Sequence, residues 1–185
     1  MVIVSAVVVV VVALVWWLTS PSKQPAGVSG RDGGSMPQGP ATDTPVAGYA
    51  VAIRALAEQV HGPGVPPVIY LLDRTCPDVM SAPPVDTDCD TPVPADLRRD
   101  LTAALASFSR VEFVSTAAAV TGADLEIAND GVLTMLGQAQ FAAGSGEVPL
   151  AVRKGGLNGR GMTYELSYRD GRWQITGSSD SAWIS

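Results

Sequence analysis

The sequence predicts an α+β fold: two helices packed on one face of a mainly antiparallel sheet, preceded by one N-terminal transmembrane helix and a disordered tether. Three observations predict it. A charge-free apolar run opens the chain, two stretches of helical period precede residue 111, and from there onward the apolar period drops to two.

Residues 1–18, MVIVSAVVVVVVALVWWL, carry no charged side chain, and Ser5 is their one polar residue. A helix of that length spans about 27 Å, against a hydrocarbon core of ~30 Å. Trp16 and Trp17 at its end suit the headgroup level. No Lys or Arg precedes the run, it is longer than a signal-peptide core, and Leu18-Thr19-Ser20 is a poor cleavage site. Residues 1–19 therefore read as an uncleaved anchor rather than a signal peptide or a buried core helix, although a start downstream of the true one would leave the same missing basic segment. Residues 20–45 hold five Pro and five Gly, and Met36 is their one apolar side chain larger than Val. Such a segment cannot offset its ordering entropy and reads as a flexible tether of about 25–30 Å. Residues 46–185 remain as the folded domain, a size that buries about two-thirds of its surface unaided.

Within that domain Thr44-Pro45, then Tyr49, Ile53, Leu56 and Val60 on one face, then Gly62, spell a helix with start and stop signals. Residues 65–73, VPPVIYLLD, form a continuous apolar run suited to a buried strand. Leu97, Leu101, Leu105 and Phe108 mark a second helix opening at residues 93–96. Residues 111–115 read as a strand, and 125–128 with 132–136 as a hairpin turning at Asn129-Asp130-Gly131. Val148, Leu150 and Val152 alternate, as do Met162, Tyr164, Leu166 and Tyr168; Asp170-Gly171 turns the chain, and Trp173 with Ile175 continues the buried face. Gly177 allows a bulge.

The tether holds two basic and two acidic residues, so the whole net charge of −6 falls on the domain. Nucleic acid needs a basic footprint and is excluded. The chemistry-bearing stretch is CPDVMSAPPVDTDCD, which contains both cysteines. Asp86, Asp88 and Asp90 match positions 1, 3 and 5 of a calcium loop, but Thr91 and Leu97 stand where Gly and Glu are required, so they are weak metal candidates. Two cysteines and one remote His61 do not fill a zinc site. The Cys76 to Cys89 spacing is unlike that of redox dithiols, and the acidic neighbours would raise thiol pKa values. A disulfide between Cys76 and Cys89, stapling a Pro-rich loop in an oxidising compartment, is the reading adopted over two buried thiols. It outweighs Lys23 and Arg31, whose position after the apolar run argues for a cytoplasmic domain.

His61, the one histidine, falls where a cation favours a helix C-terminus, and reads as a half-exposed cap rather than a base. No nucleophile elbow occurs, and GGLNGRG at 155–161 lacks the register of a phosphate loop; it reads as a long hairpin with Asn158 at the tip. Arg153, Lys154 and Arg160 give that end a positive spot, taken as solvated. No catalytic residue and no cofactor site is assigned.

The run GGLNGRGMTYELSYRDGRWQITGSSDSAWIS, with GVLTMLG before it and VIYLLDRTC earlier, resembles small membrane-anchored or secreted bacterial proteins of no assigned activity, whose last sheet has the cast GxLxGxGxxYxLxxxDGxWxIxG. The resemblance covers roughly residues 66–76 and 131–185. It implies an envelope location and a β-rich C-terminal half, and no ligand set. The functional expectation is an extracytoplasmic binding or accessory domain, held to the membrane by its N-terminal helix, with an envelope protein or glycan as partner. The alternatives are a carboxylate-dependent envelope hydrolase and a calcium-binding adhesion or sensing domain.

Overall fold

The computed structural model describes residues 44–80, 89–156 and 158–181. The expected anchor, the tether, Asp86, Asp88 and Trp183 lie outside the described residues. Helix α1 (Pro45–His61) starts behind Thr44 with Pro at its first turn and ends at Gly62, whose φ of 89° suits a residue without Cβ. Helix α2 (Ala95–Leu105) packs against α1 and keeps Leu101 and Leu105 buried. Among the described residues eight strands form one mixed sheet: β1 (Val68–Cys76), β2 (Thr91–Pro92), β3 (Arg110–Val114), β4 (Val132–Gly137), β5 (Gln140–Ala142), β6 (Ser145–Gly155), β7 (Asn158–Arg169) and β8 (Arg172–Ser181). The main order is β2-β1-β4-β6-β7-β8, with β3 beside β1 and β5 beside β6. The fold is α+β with a mainly antiparallel sheet.

The sheet is mainly antiparallel as expected, with parallel pairing at its centre. Both β3 and β4 run parallel to β1, one on each side. Residues 68–72 and 132–136 are buried throughout, because helices cover one face of these strands and irregular chain covers the other. Val68, Tyr70, Leu72, Leu133 and Met135 make a second core with Cys76, Val79, Cys89, Val120 and Ile127. In β6 and β7, by contrast, much of one face remains open to solvent, and the apolar alternation is correspondingly clear.

This placement overturns the hairpin expected from 125–136. Asn129 and Asp130 do take positive φ, as such a turn demands, but no ladder follows. Ile127 instead donates its N–H to the Lys154 carbonyl, and Ala128 to that of Val120. The all-apolar run of β4 gains more by burial on both faces between β1 and β6 than a two-stranded hairpin offers. The first strand begins at Val68, since Pro66 and Pro67 precede it without amide protons. Ile175 is a further correction: it is 39% exposed, because the ladder slips opposite Glu165 and Leu166 on an edge strand. That slip lies beside Gly177, where a bulge was expected.

At the start of α1, Tyr49, Phe141, Trp173 and Tyr168 form a chain of edge-to-face rings with centroids 5.5–6.0 Å apart. Each such pair adds about 0.5–1.5 kcal/mol beyond area burial. A Cβ at Gly48 would stand 2.6 Å from the Phe141 ring, so only glycine lets the helix approach it. Trp173 Nε1 donates to the Thr44 carbonyl at 3.2 Å, fixing the first described residue to β8.

Candidate groove at the end of helix α1

Three segments converge at the C-terminus of α1: the helix end with His61, the segment 121–131, and the β6–β7 hairpin. Lys154 reaches back from β6 to donate to the His61 carbonyl at 3.2 Å, and Asn158 from β7 to that of Val60 at 3.5 Å. Both satisfy carbonyls that the helix end leaves unpaired. Asp130 faces Lys154 at 3.3 Å through Oδ1 and His61 Nε2 at 3.5 Å through Oδ2. Its carboxyl is held below the usual carboxylate range, chiefly by the hydrogen bond and charge of Lys154, with a smaller part from His61. Asn129 donates to the Tyr70 hydroxyl at 2.7 Å, tying the same segment to β1.

Between these parts lies an open groove of about 790 Å³, lined by His61, Asp124, Leu125, Glu126, Lys154 and the glycine pair 155–156. A second depression of about 470 Å³ lies over the β5–β7 end of the sheet, beside Phe141, Glu147 and Glu165. The larger groove draws its lining from three separate segments and holds both signs of charge, which makes it the better candidate.

His61 is not the half-exposed cap expected. Its side chain is 9% exposed, and neither ring nitrogen has a hydrogen-bond partner among the described residues. The 3.5 Å approach to Asp130 adds to the field at that carboxylate without the alignment of a hydrogen bond. With both nitrogens shut off from solvent, the ring as it stands cannot activate a water. The expected positive spot is also corrected. Lys154 is paired with Asp130, and Arg153 donates to the Thr121 hydroxyl at 2.9 Å.

Cys76 and Cys89 form a disulfide, and both are buried in the second core. Asp90 is exposed, and its carboxylate accepts from the Thr91 hydroxyl. Among the described residues no group of three or more His, Cys, Asp or Glu is placed to hold a metal ion. Glu147 and Glu165 sit opposite each other across β6 and β7, both exposed, an arrangement in which like charges repel.

Sequence reading missed Asp124 and Glu126 as groove residues and Asp130 as the partner of Lys154. The one local signal was the Asn129-Asp130-Gly131 turn, and it pointed to a different partner strand. Among the described residues no helix is long and apolar enough to cross a membrane. No protein-family model, curated protein or solved structure matches the chain.

Proposed function

We propose that the chain is an extracytoplasmic binding or accessory domain of a bacterial cell envelope, held to the membrane by residues 1–19. The observation that carries this reading is the Cys76–Cys89 disulfide. Such bonds persist in oxidising compartments and are rare where glutathione and thioredoxin act. An apolar, charge-free N-terminus ahead of a Pro- and Gly-rich segment is consistent with export and tethering. The groove supports binding over catalysis, since it is open and its imidazole nitrogens do not reach solvent. It lies at the opposite end of α1 from Thr44, where the preceding chain enters.

The test is thiol trapping in intact cells, alkylating before and after reduction and reading the mass at Cys76 and Cys89. Protection until reduction is the expected result. Immediate alkylation of both in freshly opened cells would reverse the topology proposed here.

A further inference from the structure

We infer that Asn158 is a site of self-modification: with water as the only co-reactant, it loses its side-chain amide to the Gly159 backbone nitrogen and becomes aspartate and isoaspartate. The change turns a cap on α1 into a further carboxylate of the groove.

The dipeptide is the first ground. Ring closure needs an unhindered backbone nitrogen directly after an asparagine, and glycine, without a Cβ, leaves the easiest approach. The chain holds two asparagines, and Asn158 is the one followed by glycine. The second ground is the backbone around it. The β6–β7 ladder slips between Arg153 and Gly155, opposite Asn158 and Gly159, and the intervening Lys154 carbonyl accepts from the Ile127 N–H at 3.1 Å. Asn158 is exposed at this irregular end of the ladder, and its amide reaches the Val60 carbonyl at 3.5 Å, beyond the usual hydrogen-bond range. Asn129 supplies the contrast. Its amide donates to the Tyr70 hydroxyl at 2.7 Å, and the nitrogen after it belongs to Asp130, whose side chain crowds the approach and is paired with Lys154.

The step balances without an oxidant or a catalyst. The Gly159 nitrogen gives up its proton and bonds to Asn158 Cγ; the Cγ–Nδ2 bond breaks, and Nδ2 leaves with that proton as ammonia. Water then opens the cyclic imide at one carbonyl or the other, which yields aspartate or an isoaspartate whose chain runs through Cγ. A donor facing the Val60 carbonyl is replaced by a charged acceptor, at a helix end where carbonyls already concentrate negative potential. Asn158 lines the groove together with Asp124 and Glu126, so like charges gather there. The end of α1 loosens and the groove turns more acidic, in one direction only, because the ammonia is lost.

The full chain in detergent is held for days in mildly alkaline buffer and digested at acidic pH, where ring closure stops; its peptides are then read by mass. The expected result is an acid at position 158, as a mixture of aspartate and isoaspartate, while Asn129 keeps its amide. Both products together mark the cyclic imide, since direct hydrolysis of the amide gives aspartate alone. Gly159→Ala is expected to slow the conversion severalfold. In the aged protein and in Asn158→Asp, amides of the last turn of α1 should exchange with deuterium about fivefold faster than in the fresh protein. Asn158 left intact, Asn129 converting first, conversion only after unfolding in urea, or unchanged exchange in Asn158→Asp overturns the inference. Thiol trapping is read independently, and the envelope assignment stands or falls on that result alone.

Discussion

Tyr49 carries two roles through one oxygen. Its hydroxyl donates to the Gly137 carbonyl at 3.1 Å and accepts from the Ala139 N–H at 3.2 Å, joining α1 to the end of β4. Tyr49→Phe leaves both backbone groups short of a partner and is expected to cost about 1–3 kcal/mol in urea unfolding. Burial pushes the phenol above its ordinary value, with the Ala139 hydrogen bond opposing in part. A raised pKa in the fold means that this contribution is complete below the unfolded value near 10 and is lost as pH rises through the folded one. The alkaline limb of the stability profile should accordingly flatten in the Phe variant. Thr134 is the opposite case. It is fully buried in β4, and its hydroxyl has no hydrogen-bond partner among the described residues. Thr134→Val keeps the shape and removes that unsatisfied group, so a gain of about 1 kcal/mol is expected from the same unfolding measurement.

At the scale of elements, the disulfide closes the loop between β1 and the short β2, whose residues 91–92 pair with 74–75. Replacing Cys76 and Cys89 by Ala is expected to cost about 3 kcal/mol by loop-closure entropy, with the loss visible as a lower thermal midpoint. The segment 121–131 is held by polar contacts at Asp130, and a titration tests them. Because its carboxyl is depressed by Lys154 and His61, the stability it contributes is present above the ordinary carboxylate value near 4 and fades as pH falls through the folded value. Asp130→Asn should show a shallower decline of thermal midpoint across that acid range than the parent protein. These elements also show what a sequence discloses. Helix α1 was legible because its proline, apolar stripe and glycine all act locally, and β6 to β8 because one open face produces clear alternation. The parallel placement of β4 was not legible, since a run buried on both faces has no period to read. The groove escaped for a related reason: His61, Asp130 and Lys154 meet only through that non-local sheet topology.

For the whole molecule, the two cores share one sheet, and α1 lies over β4, β6, β7 and β8. Residues 44–185 should therefore fold without what precedes them, and calorimetry should find the same domain transition as in the full chain. Starting instead at residue 47 removes Pro45 and the Thr44 carbonyl that holds Trp173, and should lower the midpoint by several degrees. That indole bond bears on mechanics. Tension arriving through the preceding chain meets the fold at Thr44, where the load passes through Trp173 into β8 before α1 can be peeled from the sheet. The ring chain from Tyr168 to Tyr49 then spreads it across β7, β8, β5 and the helix itself. A domain pulled at Thr44 would thus resist first at its aromatic clamp, with the groove at the far end of the helix the last part to feel the strain.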